Sequence, residues 1–135
     1  MKKTNSMSTV LVLDDDPEQL ASTQLVLAPL YKVVTASTDT EALRLASATR
    51  PNLILLDVML QNGQNGFSVF HELSNDPVTA DIPVIFLTGV NEVTGLSFGS
   101  KEVGQYLGKP PAAFLEKPLP PAVLLREVAK ALAPQ

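Results

Sequence analysis

Val10-Leu11-Val12-Leu13-Asp14-Asp15-Asp16-Pro17, written VLVLDDDP, runs four apolar residues straight into three carboxylates. Like charges about 4 Å apart repel by roughly 4 kcal/mol at an effective dielectric of 20. Folding alone would gain nothing from that crowding, so the stretch calls for a ligand that offsets it. Its apolar half has the length and aliphatic content of a strand buried on both faces of a parallel sheet. Its second half opens a helix, with Asp16 as the N-cap and Pro17 at the first helical position, extending to about Ala28.

The same grammar recurs along the chain. Leu53-Leu56 (LILL) and Val84-Leu87 (VIFL) are further non-alternating apolar runs. Lys32-Ala36 (KVVTA) and the weaker Ala113-Glu116 (AFLE) complete five candidate strands. Helical segments fall between them. Asp39 to about Ala48 begins with a capping-box-like Thr38 and Glu41. Phe67, Phe70 and Leu73 share one helical face, and Pro120-Pro121 opens a last helix in which Leu124, Val128 and Leu132 recur every four residues. Strand–helix alternation predicts an open α/β sheet with right-handed crossovers. In such sheets ligands bind outside the carboxyl ends of the strands. Asp14, Asp15 and Asp57 fall there, as do Thr88 after VIFL and Lys117 after AFLE.

Composition narrows the chemistry. The 135 residues suit one domain, expected over 9–133 behind a loose tail of residues 1–8. A net charge of −4 gives no basic footprint for nucleic acid or an anionic membrane. The absence of cysteine removes thiolate metal sites and thiol nucleophiles, and a single histidine argues against a histidine-based metal site. No apolar run approaches the length of a membrane span, and a cytoplasmic protein is expected. Three converging carboxylates suit a hard cation such as Mg²⁺. A lysine and a threonine in the same cleft would let that set hold a phosphoryl group on a carboxylate.

The motifs VLVLDDDP, LILLDVML, NGF, VIFLTG and FLEKP, in that order at strand ends, resemble a response-regulator receiver domain of two-component signalling over nearly the whole chain. The resemblance implies a doubly wound, five-stranded parallel sheet of the flavodoxin-like kind, strand order 2-1-3-4-5, with helices on both faces. It implies Asp57 as phosphoacceptor. Asp15 would ligate Mg²⁺ directly and Asp14 mainly through water, with Asp57 and the Met59 backbone carbonyl completing the protein's ligands. Lys117 would pair with the carboxylate or phosphoryl oxygen, and Thr88 would shift to bond the phosphoryl group. Phe114 would be the switch aromatic, and Asp16 would cap the first helix beside the site. Implied partners are a histidine kinase or phosphotransfer protein and a downstream protein, with the chain a monomer or a phosphorylation-linked homodimer. No direct nucleic-acid or membrane contact is expected, and catalysis is limited to weak self-phosphorylation and self-dephosphorylation. Met59 and Val90, apolar and poor at orienting water, imply a slow loss of phosphate.

Two segments depart from the family pattern. Gln61 stands where a proline is usual, and Gly66-Phe67 arrives one residue late. Lys117 follows Thr88 by 29 positions, several more than usual, and the interval contains five of the seven glycines between Gly89 and Gly108. A long loop with at most a short helix near Lys101–Tyr106 is expected, and the loop is a candidate partner-docking segment. Two other functions stay open at this point. One is a phosphorylation-independent scaffold with the same fold. The other is an aspartyl-phosphate phosphohydrolase, disfavoured because Val58 and Met59 follow Asp57 where such enzymes carry a second aspartate.

Overall fold

Each apolar run becomes a strand of one parallel sheet in the computed structural model. The structure describes residues 8–57, 66–89, 113–117 and 120–132, with the backbone alone at 66, 67, 88, 89, 114, 116 and 117. In chain order the elements are β1 (Thr9–Leu13), α1 (Pro17–Leu27), β2 (Lys32–Ala36), α2 (Asp39–Thr49), β3 (Leu53–Asp57), α3 (Gly66–Asn75), β4 (Val84–Gly89), β5 (Ala113–Lys117) and α4 (Pro121–Leu132). The strands lie in the order β2-β1-β3-β4-β5. Every neighbouring pair is parallel. The expected helix near 101–106, the loop around Gln61 and the N-terminal tail up to residue 7 lie outside the described residues.

Strand alternation divides the core in two. Leu11, Leu13, Ile54, Leu56, Val84 and Phe86 face α2 and α3, meeting Ala42, Ala46, Val69, Phe70 and Leu73. Val10, Val12, Leu53, Leu55, Ile85 and Leu87 face the other way, meeting Leu27 of α1 with Leu124 and Val128 of α4. Both faces of β1, β3 and β4 are therefore covered. That explains why their sequences lack polar alternation. A fully buried aliphatic or aromatic side chain contributes about 1.5–3 kcal/mol relative to exposure, so these three strands dominate the stability of the domain.

Three strands run further than their apolar residues suggest. Asp57 is the last residue of β3, β4 continues through Thr88 to Gly89, and β5 includes Lys117. The expectation that these polar residues follow the strands is corrected for a simple reason. The parallel ladder pairs backbones, so Asp57↔Leu87, Thr88↔Glu116 and Gly89↔Lys117 extend it whatever the side chains are.

The helix caps follow the sequence closely. Asp16 Oδ1 accepts the Glu18 N–H at 3.0 Å, and Thr38 Oγ1 accepts the Glu41 N–H at 3.1 Å. Glu41 reaches back to the N–H of Ser37 at 2.9 Å, one residue earlier than the usual reciprocal partner. At the other end of α2, Arg50 caps in the left-handed region at φ 47°, ψ 63°. Glycine takes that conformation without the Cβ clash, which costs roughly 1–2 kcal/mol. Part of the gain is returned through the freer unfolded chain. Arg50→Gly is therefore expected to raise stability by about 0.5–1 kcal/mol, read as a higher urea midpoint at unchanged slope.

Candidate metal centre

The register places the site. Leu13 pairs with Leu56, so Asp14 and Asp57 follow at the same level on adjacent strands. Asp57 is in turn level with Leu87, and Leu87 with Leu115, which sets Thr88 and Lys117 at the same carboxyl edge. Adjacent strands are about 4.8 Å apart. Five in-phase parallel strands thus gather on one rim residues that are far apart in sequence. Asp14 and Asp57 also share the parity of Val10, Val12, Leu53 and Leu55, which points them toward the α1–α4 side of the sheet.

Asp14 and Asp57 are 3% and 4% exposed, and Asp15 is half-buried. One carboxylate oxygen from each lies within 4.8 Å of the others. Carboxylates are almost never this buried unless something compensates their charge. An oxygen-only donor set is what Mg²⁺ or a similar hard cation takes. Two oxygens on one Mg²⁺ stand at most about 4.2 Å apart, twice a bond of about 2.1 Å. A small side-chain rotation, or a water in place of one direct bond, brings the three within that limit. The residues fit the ion.

The backbone around the cluster is firmly held. Asp14 N–H donates to Ala36 O of β2 at 3.1 Å, carrying the β1–β2 ladder one residue past the strand. Asp14 Oδ1 accepts the Asp16 N–H at 2.9 Å. Neither contact is legible in the sequence: the first depends on the register of β1 against β2, the second on the conformation of the turn between β1 and α1. Asp16 itself caps α1, beside the three clustered carboxylates. Of the other residues implied by the resemblance, Met59 lies outside the described residues, as do the side chains of Thr88, Phe114 and Lys117. The backbones of Thr88 and Lys117 end their strands at the same edge as Asp57.

Comparison with known proteins agrees with this arrangement. Among curated relatives, the response regulator PleD of Caulobacter vibrioides is 33% identical over 124 residues, covering 88% of this chain and 25% of the relative. The chain thus spans about a quarter of the length of the first such relatives. The solved structure of the chemotaxis protein CheY4 of Vibrio cholerae superposes with a TM-score of 0.79 at 26% identity, covering 94% of this chain and all of that one. The receiver domain of the sensor histidine kinase PA1611 of Pseudomonas aeruginosa shares the fold, with a TM-score of 0.77 at 24% identity over 94% and 98% of the two chains. That protein carries a magnesium ion coordinated in its active-site cleft. The family model for the response regulator receiver domain matches residues 10–129. A sheet order, an acidic rim and a match that spans nearly the whole sequence all lead to one assignment: this chain belongs to the response regulator receiver domain family of two-component signalling.

Proposed function

We propose that residues 9–133 form a cytoplasmic phosphorelay module in which Asp57 accepts a phosphoryl group from the phosphohistidine of a histidine kinase or phosphotransfer protein. The observation that carries this reading is the convergence of the Asp14, Asp15 and Asp57 carboxylates at the carboxyl edge of the sheet, two of them buried. A scaffold would gain nothing from that crowding, whereas a cation site would. Bound there, Mg²⁺ supplies charge neutralisation for the three phosphoryl oxygens.

The residues of this chain do the rest. An oxygen of the Asp57 carboxylate attacks phosphorus, and a P–O bond forms as the P–N bond of the donor breaks. The electron pair of that bond stays on the imidazole, which leaves neutral because its other ring nitrogen already carries a proton. Asp15 would hold the cation directly and Asp14 mainly through water, beside the acceptor, with the Met59 carbonyl as a further ligand. Lys117 balances the added charge, and Thr88 binds a phosphoryl oxygen. Phe114 carries the change to the surface, where a downstream protein reads it. The domain's own catalysis extends only to its phosphorylation and a slow hydrolysis. Among the described residues no helix is long and apolar enough to cross a membrane.

Intact mass after incubation with a small-molecule phosphodonor tests this. One phosphoryl group is expected with Mg²⁺ and none after chelation. Absence of uptake from both the small donor and a phosphorylated phosphotransfer protein, in the presence of Mg²⁺, would overturn the reading.

A further inference from the structure

The Asp14 carboxylate is held by the first turn of the helix that follows it. Its Oδ1 accepts the backbone N–H of Asp16 at 2.9 Å. Asp16 is itself fixed from several sides. Its Oδ1 accepts the Glu18 N–H at 3.0 Å, and its carbonyl accepts the Leu20 N–H at 2.9 Å. Its backbone sits at φ −93°, ψ 111°, the extended conformation of an N-cap, with Pro17 following at the start of α1. One side chain therefore secures the backbone that presents the donor to Asp14. On the other side, Asp14 N–H is tied to Ala36 O at 3.1 Å. The carboxylate is thus set between two anchored backbones, one from the sheet and one from the helix.

We infer that Asp16 is a positioning residue for the acidic site: its cap of α1 holds the N–H that orients the Asp14 carboxylate for a divalent cation. The inference rests on the reading of Asp14, Asp15 and Asp57 as a cation site. It assigns to Asp16 a role through geometry and not through its charge. Metal-ligand orientation by such outer contacts changes affinity by about 10–100-fold when it is lost. Because Asp16 supports the donor indirectly, the lower end of that range is expected here.

The assignment separates cleanly from its rivals. Asn and Ser cap a helix about as well as Asp but carry no charge, whereas Ala does neither. Mg²⁺ titration by calorimetry on the unphosphorylated protein, with hydrogen exchange of the Asp16-position amide read by NMR, covers wild type, Asp16→Asn, Asp16→Ser and Asp16→Ala. Asp16→Asn and Asp16→Ser are expected to bind Mg²⁺ within about two-fold of wild type and to keep the amide protected. Asp16→Ala is expected to bind roughly ten-fold more weakly, with faster exchange at that amide. Equal weakening in all three variants would mean that charge acts instead, and would overturn the inference. So would unchanged affinity in Asp16→Ala with only a lowered melting temperature, the result of a purely structural cap. If wild type itself shows no Mg²⁺ binding, the cation-site reading fails first. Should Asp16→Ala fold poorly, weaker binding in Asp16→Asn and Asp16→Ser would still overturn the inference.

Discussion

Asp57→Asn is expected to abolish phosphoryl uptake and, in the same protein, to raise thermal stability in the presence of a chelator. The first effect follows from chemistry, since a carboxamide oxygen is a poor nucleophile toward phosphorus and gives no stable product. The second follows from the fold. Asp57 is 4% exposed, and one oxygen of its carboxylate lies within 4.8 Å of an oxygen from each of Asp14 and Asp15. A like-charge pair at about that distance repels by roughly 3–4 kcal/mol at an effective dielectric of 20. Burial adds a desolvation penalty that the amide avoids in part. Solvation and relaxation return some of this, so a net gain of about 1–3 kcal/mol is expected without metal.

Mg²⁺ should reverse the ranking of benefit. A cation that binds only the folded state stabilises in proportion to its occupancy. Wild type, with three carboxylates to neutralise, should gain more from Mg²⁺ than Asp57→Asn does. Melting curves with and without Mg²⁺, beside intact mass after exposure to the phosphodonor, check both halves. A variant that melts lower than wild type in chelator would contradict the electrostatic account, and one that is still phosphorylated would remove Asp57 as the acceptor.

Phe86→Ala is expected to be the most damaging single substitution for stability among those considered. Phe86 lies fully buried in β4, between the paired strands β3 and β5. Its ring meets Phe70 of α3 edge to face, with centroids 5.4 Å apart and planes at 66°. Truncation at such a site costs about 3–5 kcal/mol through lost transfer energy and the cavity left behind. Whole domains are stable by only about 5–15 kcal/mol, so a large part of the margin would go. The urea midpoint should fall steeply. A double-mutant cycle with Phe70→Ala should return a coupling of about 0.5–1.5 kcal/mol for the ring pair. Leu25→Ala is the control: Leu25 is 76% exposed, and a change within about 0.5 kcal/mol is expected there. A Phe86→Ala loss no larger than that control would show that this face of the core is less tightly packed than the burial implies.

The sheet was legible in the sequence because a strand buried on both faces has no freedom to carry polar residues, and VLVL, LILL and VIFL carry none. The helix starts were legible for an equally local reason. Asp16-Pro17 and Thr38 with Glu41 satisfy N–H groups within one turn, so their chemistry is written in adjacent residues. The strands extend past their apolar residues, because a parallel ladder pairs backbones whether or not residue 57, 88 or 117 is polar.

The sequence by itself determined the alternation of strands and helices, the two-faced burial of the inner strands and the placing of aspartates at their carboxyl ends. Only the tertiary structure decided that those aspartates meet. Asp14 and Asp57 are 43 positions apart, and they become neighbours through the pairing of Leu13 with Leu56 across β1 and β3. The orientation of Asp14 by the Asp16 N–H is likewise not written in the sequence. Hydrogen bonds to backbone groups depend on the dihedral angles of a turn, and every non-proline residue presents the same N–H.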